Sequence, residues 1–217
     1  LIAQFLSPLT NRRDDAYGGD LERRAAFALA IVRRIREKVG RDFPLLFRLS
    51  ADEHLPGGVT LDQAQVTARI LEAAGVDILS VTAGKRPESF EWSVQPMSMP
   101  PGCIIDLAQA MKETVKIPVI GVGRINDPIL ANRIIAEGKA DLVAMGRALI
   151  ADPELPKKAF EGRYEDIRKC VACMVCHQRT FQIRRPRCMV NAEVGRRDFA
   201  LRKAERHPWK PPFPCRS

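Results

Sequence analysis

A chain of 217 residues, 46% of them hydrophobic, is long enough for one ordinary domain with a real core and a small appendage. No apolar run is long enough to span a membrane and no basic-then-apolar leader opens the chain, so a cytoplasmic protein is expected. The net charge of +9 is concentrated in residues 161–217, where few aromatic side chains accompany the basic ones, and this disfavours a nucleic-acid stacking surface.

The chain opens at Leu1, inside an apolar run and without methionine, which reads as a fragment or a processed product. Residues 1–6 read as the end of a strand, and 7–20 as a polar loop. Asp20 is an N-cap for a helix over 21–39, with Gly40 as its stop. A strand at 45–49 is interrupted by Arg48. After a loop to Val59, Thr60 and Gln63 read as a capping box for a helix to Ala74, ended by Gly75. A strand at 76–81 leads into a loop over 82–102, whose length marks it as functional. A helix at 104–115, a strand at 119–122, a helix opened by Asp127-Pro128 and a strand at 142–145 follow. A last helix starts at Asp152-Pro153 and runs to Phe160. Strand and helix alternate through five strands, as parallel βαβ units require.

Two strand ends carry the same pair, Gly123-Arg124 and Gly146-Arg147. Glycine permits close approach to a ligand, exposed N–H groups attract anions, and arginine adds a bidentate phosphate donor. Two such corners, one βα unit apart, can hold one phosphate, as the last two strands of a (β/α)8 barrel do. They favour a barrel over an open sheet, with the missing strands expected before Leu1. The alternative is that each glycine only tightens a turn.

Beyond Phe160 the pattern changes. Cys170, Cys173 and Cys176 form a triplet at two-residue gaps, and Cys188 follows. Four thiolates in this arrangement suit a cubane iron–sulfur cluster, whereas structural zinc more often takes two separated pairs. Arg168, Lys169, Arg179, Arg184, Arg185 and Arg187 can balance the cluster charge. Zinc and plain buried thiols remain the alternatives. Cys103 and Cys215 lack partners at ligand spacing. His54, in Asp52-Glu53-His54, could bind metal or move protons, but a polar loop also accounts for it. The chain therefore divides into 1–160, a partial barrel; 161–200, a cysteine segment; and 201–217, an irregular tail.

These pieces together resemble a known family. Residues 4–19 (QFLSPLTNRRDDAYGG), 47–50 (FRLS), 118–125 (PVIGVGRI) and 142–147 (LVAMGR) are similar to the old yellow enzyme family of NADH:flavin oxidoreductases. The cysteine set resembles its iron–sulfur branch, which includes 2,4-dienoyl-CoA reductase and trimethylamine dehydrogenase. The resemblance covers residues 1 to about 200. It implies an FMN-binding (β/α)8 barrel of which this chain holds strands four to eight. By that resemblance Arg48 faces the flavin pyrimidine edge. Gly123, Arg124, Gly146 and Arg147 hold the FMN phosphate, and Cys170, Cys173, Cys176 and Cys188 bind a 4Fe-4S cluster.

The resemblance further implies hydride transfer from NAD(P)H through FMN to an enone or enoyl thioester, a small-molecule substrate. The same scaffold can also run oxidatively on amines. The proton-donating tyrosine of dienoyl-CoA reductases falls upstream of Leu1, so the catalytic residue is unknown here, and the chain alone is expected to be impaired. Residues 82–102, with Phe90, Trp92 and Met97, shape the substrate entrance. No glycine-rich nucleotide fingerprint follows Asn191, so any FAD belongs to a C-terminal part this chain lacks. A homo-oligomer is compatible with the family. The rival readings are a noncatalytic phosphate-binding barrel remnant with structural zinc, and a basic nucleic-acid-binding tail.

Overall fold

A computed structural model describes residues 1–196. The expected tail at 201–217, with Cys215, lies outside the described residues. Four parallel strands form one sheet in sequence order: β1 (Leu46–Ser50), β2 (Ile78–Thr82), β3 (Val119–Gly121) and β4 (Leu142–Val143). Their register pairs Leu46 with Ile78, Leu79 with Val119 and Ile120 with Leu142. The helices are α1 (Ile2–Leu6), α2 (Leu21–Val39), α3 (Leu61–Ala73), α4 (Phe90–Ser93), α5 (Ile105–Lys112), α6 (Pro128–Ala136), α7 (Gly146–Ala151), α8 (Leu155–Phe160) and α9 (Val175–Phe181).

Residues 1–6, expected as the end of a strand, are helical instead, and the strand count falls from five to four. The carbonyls a strand would give to a neighbour are taken locally. Phe5 O accepts from Asn11 Nδ2 at 2.7 Å, and Leu6 O from Arg24 Nε at 3.0 Å. Two predicted caps form: Asp20 accepts from Arg23 N, and Asp127 from Ile129 N with Pro128 at the first turn. The predicted capping box does not. Thr60 makes no side-chain cap, and Gln63 Oε1 lies 3.5 Å from Arg24 Nη2.

Burial alternates along β1 and β2, so each strand gives one face to the helices. Phe47, Leu49, Leu79, Val81 and Val119 pack with Ala28 and Val32 of α2, Ala64, Ala68 and Leu71 of α3, and Ala108 and Met111 of α5. Small residues on the helices let them lie close to the sheet. Leu71, Leu79 and Met111 are fully buried, each contributing about 1.5–3 kcal/mol. The other face presents a row in register, Arg48, Ser80, Ile120 and Leu142. Arg48 and Leu142 on it are exposed.

The chain divides after Ala148 into two units. The described part of the second contains most of α7, α8, a 3-10 turn at Tyr164–Asp166, and α9. Its interior is organised by two buried polar side chains, Asp152 and Asn191, rather than by a large apolar cluster. No helix among the described residues is long and apolar enough to cross a membrane.

Candidate cofactor site

In a parallel sheet, ligands sit beyond the carboxyl ends of the strands, because the loops there converge. At this end the loops following β1 and β2 are joined. Gly84 N donates to Asp52 O at 2.7 Å, Ser50 Oγ to Gly84 O at 3.0 Å, and the buried Ser89 Oγ to Glu53 O at 2.5 Å. Glu53, itself buried, accepts from Ser7 Oγ at 2.8 Å and Val59 N at 3.0 Å. Much of the polar 4–19 motif is therefore structural, holding α1 and its loop against the loop after β1.

The two Gly-Arg corners follow the adjacent strands β3 and β4. Arg124 Nη1 donates to Met97 O at 3.0 Å, and Arg147 Nη1 to Gln95 O at 2.7 Å. Both guanidinium groups thus reach one short segment of the 82–102 loop. Arg124 Nε is buried and has no hydrogen-bond partner among the described residues. A buried unsatisfied donor costs about 1–3 kcal/mol and calls for an acceptor.

The two glycines differ. Gly123 has φ 119°, and a Cβ there would lie 2.3 Å from Ile104 Cγ1, so packing and backbone both demand glycine. A Cβ on Gly146 would meet nothing within 4 Å, so the space beside it is open. An orphaned buried guanidinium nitrogen on one corner and open space at the backbone of the other both suit an anion, and in that respect the residues fit FMN phosphate. The half-buried Cys103 lies within the field of both arginines. Burial pushes its thiol up, against the opposing pull of Arg124 and Arg147.

Arg48 stands on the uncovered face of β1, exposed and without an ion pair or side-chain hydrogen bond among the described residues. An exposed cation on an otherwise apolar strand is open to a partner from outside. His54 is more elaborate than a polar loop residue. Its ring stacks on Trp92 at 3.8 Å between centroids, its backbone is left-handed at φ 51°, and Asp52 Oδ1 accepts from its N–H at 2.6 Å. Its Nε2 is buried and has no hydrogen-bond partner among the described residues. Sequence spacing carried no signal for the stack, since the two residues come from different loops.

In the second unit the four cysteines of the predicted set are half-buried. Ala172 N donates to Cys170 Sγ at 3.4 Å, and Ala172 and Met174 are left-handed at φ 54° and 66°. These reversals turn the chain twice within the triplet. The donor chemistry, thiols among basic side chains, fits a cluster. No group of three or more His, Cys, Asp or Glu side chains is assembled to hold a metal ion among the described residues. The triplet and Cys188 are thus present as donors but not gathered into a closed set.

Residues 1–166 match the model of a family described as NADH:flavin oxidoreductase / NADH oxidase. Over 198 residues the chain is 52% identical to an NADH oxidase of Thermoanaerobacter brockii, covering 90% of this chain and 30% of the relative. It is 35% identical over 221 residues to a cinnamate reductase of Clostridium sporogenes, covering 94% of this chain and 33% of that one. A solved 2-naphthoyl-CoA reductase complex superposes with a TM-score of 0.85 at 41% identity, covering 90% of this chain and 30% of that one. The chain spans about a third of the length of these relatives.

Proposed function

The chain belongs to the NADH:flavin oxidoreductase / NADH oxidase family, and from that premise we propose that it is the flavin-phosphate and iron–sulfur part of a flavin-dependent reductase. The reading rests first on one observation. Two neighbouring Gly-Arg corners converge on residues 95–97 and leave a buried guanidinium nitrogen unsatisfied. Gly123, Arg124, Gly146 and Arg147 would hold the FMN phosphate. Arg48 would hold negative charge at the flavin pyrimidine edge, which a fixed cation stabilises. The four sheet strands would form one side of a (β/α)8 barrel, with the row Arg48, Ser80, Ile120 and Leu142 facing its interior.

Bound FMN supplies a two-electron carrier between a nicotinamide and the substrate. The net reaction adds a hydride from NAD(P)H and a proton across a carbon–carbon double bond conjugated to a carbonyl, leaving NAD(P)+. Two relatives support this class: they are named for reducing cinnamate and 2-naphthoyl-CoA, whose unsaturated carbons are conjugated to a carboxyl or thioester. No residue of this chain is assigned as the proton donor. Residues 82–102 would border the substrate, with Trp92 and His54 forming a stacked wall. Cys170, Cys173, Cys176 and Cys188 would bind a 4Fe-4S cluster, which supplies single-electron transfer.

The test is anaerobic purification of the full-length protein that carries this chain. Flavin released by denaturation, four irons per chain and NAD(P)H-dependent reduction of cinnamate are expected. Stoichiometric zinc in place of iron, with no flavin, would refute the reading and favour a structural metal on a phosphate-binding scaffold.

A further inference from the structure

Among the described residues of the second unit, Asp152 and Asn191 are the buried polar side chains, and the proposed chemistry does not use them. Each is more buried than any cysteine of the set. Asp152 accepts three bonds. Lys158 Nζ donates at 2.7 Å, Glu154 N at 3.1 Å, and Arg168 N at 3.0 Å. Burial works against its ionisation, but the Lys158 ammonium and the Arg168 and Glu154 amides outweigh it and hold the carboxyl below the usual range. Lys158 Nζ also donates to Asp166 O at 2.9 Å, fastening the turn before Arg168.

Asn191 makes the complementary set. Its Nδ2 donates to Ile150 O at 2.9 Å, and its Oδ1 accepts from Glu193 N at 3.1 Å, with Arg168 Nη1 at 3.5 Å. The 150–152 corner is therefore tied to both ends of the cysteine segment, by Asp152 to Arg168 N and by Ile150 O to Asn191. Arg168 lies two residues before Cys170, and Asn191 three residues after Cys188. An extended chain spans about 3.3–3.6 Å per residue, so these tethers keep the entry to Cys170 and the exit from Cys188 close to one point. The long excursion between them is thereby tied at both ends.

We propose that Asp152 and Asn191 are positioning residues for a cluster on the four cysteines: a clasp that ties together the two ends of the cysteine segment without touching the metal. The inference rests on the iron–sulfur reading given above. Both side chains are buried and turned to internal bonds, which leaves the thiols as the donors for a metal. The role of Asp152 and Asn191 is to reduce the disorder the sulfurs must lose on binding, as outer partners of metal sites do.

The test uses the full-length protein reconstituted anaerobically with iron and sulfide. Asn191→Ala, Asp152→Asn and Leu155→Ala are compared with wild type. Leu155 is buried on α8, and its truncation destabilises the same unit without removing either tether. The readouts are the rate at which a ferrous chelator strips iron, the width of the reduced-cluster electron paramagnetic resonance signal, and the melting temperature of the apoprotein. Both clasp variants are expected to lose iron about 10- to 100-fold faster than wild type and to broaden the signal. Leu155→Ala is expected to melt lower yet keep the wild-type stripping rate. Asp152→Asn preserves volume and decides the matter where Asn191→Ala does not accumulate. Equal stripping rates for the clasp variants and Leu155→Ala overturn the clasp alone. A wild-type protein that takes up no iron overturns the cluster reading and the clasp with it.

Discussion

Arg124 offers a test in which the sign changes with the cofactor. Its Nη1 is committed to Met97 O, while its Nε is buried and unsatisfied. Replacing Arg124 with methionine keeps the apolar stem, deletes one hydrogen bond worth about 0.5–1.5 kcal/mol, and removes an orphan donor that costs about 1–3 kcal/mol. The two effects oppose each other, so the flavin-free protein is expected to fall between a loss of about 0.5 kcal/mol and a gain of about 2.5 kcal/mol. Where the corner holds the FMN phosphate, as proposed, the outcome is different. A hydrogen bond to a charged phosphate is worth about 1.5–3 kcal/mol, which weakens FMN binding by about 10- to 150-fold. Arg124→Lys keeps the charge but not the planar fork, and so holds either the loop or the phosphate. The assay is quenching of FMN fluorescence on titration into flavin-free protein, paired with urea unfolding of the same sample. Wild-type FMN affinity in Arg124→Met, or a loss of several kcal/mol without flavin, would refute the phosphate assignment.

The two corner glycines are expected to separate. Gly123→Ala puts a methyl 2.3 Å from Ile104 in a left-handed backbone and is expected to cost about 2–5 kcal/mol by urea unfolding, whereas Gly146→Ala meets nothing within 4 Å and is expected to hold or slightly raise stability. Asp152 has a folded-state pKa below its unfolded value near about 3.9, so its stabilising contribution is complete above that pH and is lost as pH falls through the lower folded value. An Asp152→Asn variant is therefore expected to show a flatter loss of stability below about pH 4, and an acid limb as steep as wild type would contradict the assignment. For His54 and Trp92, a double-mutant cycle with alanine is expected to give a coupling of about 0.5–1.5 kcal/mol from the stacked rings, measured by chemical unfolding; additivity would mean that the stack contributes nothing.

What the sequence disclosed follows from how local each signal is. The caps at Asp20 and Asp127 are bonds between near neighbours in the chain, so spacing alone revealed them. The place of the Gly-Arg pairs was legible because each follows its own strand within a few residues, Gly146 opening α7. The run at 1–6 was misread because a short apolar stretch carries no usable period. Its conformation is set by Asn11 and Arg24, which take its carbonyls from outside. Thr60 and Gln63 had the right spacing for a capping box, but Gln63 lies beside Arg24 from another helix. The loop at 82–102 stood out by length, yet its ties to Arg124 and Arg147 join segments far apart in sequence. The cysteine spacing suggested a donor set that the described residues do not assemble, while the bonds of Asp152 and Asn191 at its two ends come from residues with no motif of their own.

The bonds from Arg124 and Arg147 to residues 95 and 97 have a consequence for how this region can vary. Both acceptors are main-chain oxygens, which every amino acid supplies alike. The segment can therefore exchange its side chains, and with them the shape offered to a visiting molecule, while staying bolted to the same two cations. A one-residue insertion or deletion between Trp92 and Met97 would shift those oxygens out of reach. Diversification at this rim is thus constrained in backbone length and permissive in chemistry.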